Sequence, residues 1–168
     1  YAVTIAFVQK TLQTVTKDLG ILLMFLGLGL FLGSLIYGRF GQRLSHYKTI
    51  FTALVLSGIM LIVFALVLSH YPKFYVAMIL SCLLGLLISP IMIASNTIIH
   101  NASVNSMMGK IFSSLEIVMH LGFILFMFLS SILAEKTSNI FILVSVGCVI
   151  SILGIVNLIY HRKIPWLD

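Results

Sequence analysis

One carboxylate stands inside an apolar run of this chain: Glu116, in the segment IFSSLEIVMHLGF, with His120 four positions later. On a helix that spacing puts both side chains on one face, where a carboxylate and an imidazole can share a hydrogen bond or pass a proton. A carboxylate held in hydrocarbon costs several kcal/mol unless it faces protein, water or a partner, or is protonated, so its presence asks for a reason. Ser113 and Met127 extend the same face. In the preceding apolar run, Ser89 and Asn96 lie seven residues apart and so nearly on one face of their own. Taken as antiparallel neighbours, the two runs bring Asn96 level with Glu116 and Ser89 level with His120, roughly 9 Å and 15 Å in from the end marked by Lys110. Glu116, His120, Asn96 and Ser89 are therefore the candidate substrate or proton pathway. One reading gives Glu116 and His120 to proton coupling or to a cationic substrate, with hydrogen bonds from Asn96 and Ser89. The other is a clamp between helices, or Glu116 reaching toward Lys110 or Arg43 at the membrane edge.

Other chemistries lack their equipment. No nucleophile elbow, phosphate-binding glycine loop or pair of catalytic acids occurs, which argues against an enzyme. His46, His100 and His161 fall in separate connecting segments without ligand spacing, so neither a metal nor another cofactor is expected. Cys82 and Cys148 sit in separate apolar runs and read as packing residues.

The elements that must carry these residues follow from composition. With 61% hydrophobic against 8% charged residues and a mean hydropathy of +1.20, the chain cannot clothe a water-soluble globule, and lipid must solvate most side chains. Apolar runs at 19–38, 49–69, 74–98, 111–134 and 139–160 each reach ~30 Å as a helix and can span a bilayer. Residues 1–8, YAVTIAFV, are too short to cross, and the polar QKTLQTVTKD after them reads as a loop. The expectation is an all-α polytopic transmembrane bundle of five full spans plus the end of a truncated sixth, cut from a longer protein.

Charge sets orientation. Assigning the connecting segments alternately to two sides puts Arg39, Arg43, Lys48, Lys110, Arg162 and Lys163 on one, against Lys10, Lys17, Lys73 and Lys136 with Asp18 and Glu135 on the other. The acid-poor side is expected in the cytoplasm, together with the C-terminus. The net charge of +6 then records orientation and contact with anionic headgroups, not nucleic acid. Within the first full span, Gly29 and Gly33 form a GxxxG that admits another backbone, read as close packing inside the chain ahead of a homodimer face. Pro90 interrupts the third span at mid-length, where the freed carbonyl needs a partner or the helix must kink, as a gating helix would.

The segment GSLIYGRFGQRLSHYKT joins two spans across a basic loop and resembles the loop signature of the major facilitator superfamily, Gly-x-Leu-Ala-Asp-Arg-x-Gly-Arg-Arg. Gly38, Gly41 and Arg43 stand at its first glycine, small position and basic residue. Gln42 stands where the acid is expected, Ser45 replaces the second glycine, and Lys48 follows the His46-Tyr47 pair that replaces the paired basics. Further on, Gly109, Lys110, Ile111, Phe112 and Ser113 resemble the Gly-Arg-Val-Phe-Ser that opens the family's eleventh helix, in wording similar to the drug and macrolide efflux branch. The resemblance implies that residues 1–168 are the C-terminal six-helix half of a 6+6 facilitator, a permease of the bacterial inner membrane. It would work by alternating access with an N-terminal six-helix half, moving a small molecule, with proton-coupled efflux of an amphiphile as the leading expectation. The rival expectations are a membrane scaffold acting through its glycine-rich helix, and lipid translocation by the same fold.

Overall fold

Hydrocarbon offers no water to pair backbone N–H and C=O groups, so each segment of a chain this apolar must satisfy them internally as a helix. The computed structural model describes residues 2–12, 16–41, 45–103 and 107–163. Six helices follow in order: α1 (Ala2–Leu12), α2 (Thr16–Phe40), α3 (His46–His70), α4 (Phe74–Ala102), α5 (Met108–Lys136) and α6 (Asn139–Lys163), with no strand among the described residues. Helices α2 to α6 are each long and apolar enough to cross a membrane, and the bundle is polytopic and helical.

The element boundaries differ from the sequence reading in two ways. Most of the polar stretch after Val8 is helical: α1 runs on through Gln9, Lys10 and Thr11 to Leu12, and α2 begins at Thr16, while residues 13–15 lie outside the described residues. Every full span also overshoots its apolar run. Hydropathy marks where side chains prefer lipid, whereas a helix continues as long as its backbone bonds can be made, so exposed Gln9 and Lys10 extend α1 without cost to its apolar part.

Packing does not follow chain order. Helix α2 lies against α4, α4 against α3, and α3 against α6, while α1 touches α6, α5 and α2. Two of these contacts are backbone approaches made possible by glycine. A methyl group on Gly33 would come within 2.7 Å of the Leu86 carbonyl oxygen and 2.8 Å of Ser89 Cβ, and one on Gly29 would overlap the Cys82 carbonyl. The GxxxG face thus meets α4 of the same chain. On the other side, Gly58 of α3 faces Gly147 and Ser151 of α6, whose hydroxyl donates to the Gly147 carbonyl at 2.8 Å.

Pro90 sits inside α4, which passes through it as one helix. Its ring leaves the Leu86 carbonyl without the N–H of residue 90, and that carbonyl is the one turned to Gly33, whose Cα–H can approach it. The α2 glycine and the α4 proline are two parts of one arrangement.

The tightest packing is at the end away from the basic loops. There Val3, Phe7 and Val8 of α1 are buried among Leu22, Phe64, Leu68, Ala77, Leu80, Leu84, Ile142 and Leu143. At the opposite end Tyr37 is buried with its ring against Gly41, and its hydroxyl has no hydrogen-bond partner among the described residues. A buried orphan hydroxyl costs about 1–3 kcal/mol, so Tyr37→Phe is expected to raise the unfolding temperature of the purified protein. A lower temperature would mean that the hydroxyl is bonded.

Candidate functional site

Helix α5 carries the two ionisable residues that sequence singles out, and it is the least covered element. None of its most apolar stretch is buried, against 17–28% for the other four spans. It touches only α1 and α6 to any extent. Ile117, Val118, Phe126 and Phe128 are all at least 60% exposed, and Met119 and Phe123 are 53% and 52% exposed. Glu116 and His120 are exposed with them. The pair does meet, but through the backbone: His120 Nδ1 donates to the Glu116 carbonyl oxygen at 2.7 Å. A carbonyl can only accept, so this bond places the ring proton on Nδ1 and leaves Nε2 free to take another. Met127 and Ser113 are also exposed, the latter with its hydroxyl turned back to the Gly109 carbonyl at 2.8 Å.

The partner residues on α4 are arranged differently from the sequence expectation. Ser89 and Asn96 do lie on one face by their spacing, but their surroundings differ. Ser89 is 3% exposed, under Gly33. Asn96, two turns farther along, is exposed and borders a cleft with Phe112 of α5. The full four-residue set is therefore not assembled within this chain. A heptad spacing fixes which residues share a face, but the choice of neighbour comes from the glycine contact of α2 with α4.

Around Asn96 there is a cleft of about 490 Å³ lined by Ile93, Asn96, Thr97, His100, Asn101 and Phe112. It lies between the last turns of α4 and Phe112 near the start of α5. Sequence reasoning missed Thr97, Asn101 and Phe112, and placed His100 in a loop, whereas it belongs to the last turn of α4. His46 is likewise the first residue of α3. The signal that could have found the cleft was the NTIIHN segment, whose polar groups recur at helical spacing at 96, 97, 100 and 101. Thr97 spends its hydroxyl on the Ile93 carbonyl at 2.8 Å, which leaves two amides, an imidazole and a phenyl ring to meet a ligand. Phe112 and Glu116 are four apart, so the acid stands on the same face of α5 as the ring that lines the cleft.

The loop-motif residues divide by environment. Gly38 and Gly109 have open space where a side chain would stand, Lys110 is exposed, and Gly41 is filled by the Tyr37 ring. Lys48 borders a groove between α3 and α4, of which Pro90 forms part of the wall. Arg43 lies outside the described residues. Among the described residues no group of three His, Cys, Asp or Glu side chains could hold a metal.

No curated protein and no solved structure matches the chain. The family model described as Major Facilitator Superfamily matches residues 1–166. A match over nearly the whole chain, on a bundle of five crossing helices, makes this protein a member of the major facilitator superfamily, a family of membrane transporters of small molecules.

Proposed function

We propose that the chain is the C-terminal six-helix half of a proton-coupled exporter of amphiphilic compounds, of the drug and macrolide efflux type. In this reading it sits in the bacterial inner membrane with its C-terminus in the cytoplasm. The observation that supports this best is the state of α5: the helix that bears Glu116 and His120 is uncovered along its length. A carboxylate cannot be left to lipid at low cost, so the face that bears it must line a wet cavity or meet another protein surface. An N-terminal six-helix half supplies both, with the cavity between the halves opening alternately to either side. Asn96, His100 and Phe112 then form the near wall of that cavity. Pro90 belongs to the helix proposed to bend as the cavity opens. The scaffold alternative needs the glycine face of α2, and α4 already occupies it.

Accessibility of single cysteines in the full-length protein tests the proposal. Reporters at Ser45 and Ser103 are expected to label from the cytoplasm, those at His70 and Thr137 from outside, and a reporter at position 116 to change its labelling when a pH gradient is imposed. A position 116 closed under every condition overturns the coupling role, and inverted labelling of the four loop reporters overturns the orientation.

A further inference from the structure

The α3–α4 hairpin is tied by the three-residue turn 71–73 at one end and opens at the other into a groove of about 350 Å³. Its lining is graded along α3. Ser45, Lys48, Thr49 and Thr52 come first, at the level of the membrane edge, and Ala53 and Leu56 follow deeper in, opposite Leu86, Leu87 and Pro90 of α4. A smaller cavity of about 220 Å³, lined by Gly33, Ile36, Tyr37 and Gly41, shares Thr49, Leu86 and Pro90 with it. The two therefore adjoin behind the proline. Without an N–H or a side chain reaching outward, Pro90 leaves its stretch of α4 bare of donors, which suits an alkyl chain and no polar solute.

We propose that this groove is a binding site for one anionic phospholipid. A cation at the interface and apolar walls toward the midplane reproduce the order of headgroup and acyl chain in a lipid leaflet. The phosphate lies at Lys48, and one acyl chain runs along Ala53, Leu56, Leu86 and Leu87 toward the space beside Pro90. Charge complementarity favours an anionic headgroup: exposed Arg39 and Lys110 stand at the same end of the bundle, and the whole chain carries +6. The hydroxyls of Thr49 and Thr52 do not compete for the phosphate, because they are spent on the carbonyls of Ser45 and Lys48. The site thus reads charge and shape. It shares no lining residue with the Asn96 cleft and does not depend on the transport reading.

The test is native mass spectrometry of the full-length protein released from nanodiscs of equal phosphatidylglycerol and phosphatidylcholine. One retained lipid with a preference for phosphatidylglycerol is expected. Lys48→Gln should reduce that preference about fivefold, the effect of one cation near a charged surface. Leu87→Trp, which fills the groove without touching charge, should remove the retained lipid altogether, while the fold is checked by its unfolding temperature. Equal retention of both lipids, or retention unaffected by both substitutions, overturns the proposal. Displacement of the lipid by soluble glycerol phosphate would show a free-anion site and overturn it equally.

Discussion

Gly85→Ala is expected to lower the unfolding temperature of the purified protein by roughly 2–12 °C. A methyl on Gly85 would overlap the Leu26 carbonyl and stand 2.9 Å from the Leu30 amide nitrogen. Both are main-chain atoms of α2, so no rotamer change can make room; α2 must move away from α4. That movement also loosens the approaches of Gly29 to Cys82 and of Gly33 to Leu86, since the three glycines serve one contact from its two sides. Overpacking of a rigid site costs about 1–3 kcal/mol and sometimes more, and lipid supplies no compensating hydrophobic force between helices. Gly27→Ala is the matched control. It lies in α2, the other helix of this contact, with nothing within 4 Å of the added atom, and it should leave stability unchanged or raise it slightly. Equal melting of the two variants would mean that α2 and α4 are not in backbone contact.

This contact explains what could and could not be read from the residues. Number and position of the spans were legible because one property decides them: a run of about twenty apolar residues has no other stable place than a bilayer. Helix ends were less legible, because the polar turns at Gln9–Leu12 and Asn101–Ala102 stay helical for reasons of backbone bonding that hydropathy does not see. Which helices touch was not legible from spacing. Ser89 and Asn96 share a face as their spacing requires, but Gly33 of α2 takes Ser89, Asn96 opens on the cleft with Phe112, and α5 otherwise packs on α1 and α6. Gly29 and Gly33 were visible as a motif; their counterpart Gly85, alone among leucines, carries no motif and gains its meaning only from the two facing it. The cleft at Asn96, Thr97, His100 and Asn101 went unseen because attention to intramembrane charge passes over neutral polar groups in a last helical turn.

Glu116→Gln is expected to abolish the response of transport to a pH gradient in the full-length protein while moving the unfolding temperature by no more than about 2 °C. The two halves of that expectation rest on different observations. Coupling is lost because glutamine has the shape of the protonated acid but can never release its proton, so the cycle has no second protonation state at that position. Stability is kept because Glu116 is exposed on α5 and pairs with no side chain among the described residues; the one polar contact at this position uses its carbonyl, which the substitution retains. A clamp predicts the reverse pattern, with transport still driven by the gradient and the melting temperature lowered. His120→Ala separates the two residues further. It removes the ring held at Nδ1 by the Glu116 carbonyl, and with it the free Nε2 through which a proton could reach or leave the carboxylate. If His120 relays protons, the variant should transport slowly with the dependence on pH retained through Glu116; if it serves only to cap the helix backbone, the rate should match that of the parent. A Glu116→Gln protein that still answers the gradient would remove the carboxylate from the mechanism and leave its place in the membrane to be explained by a contact with another chain.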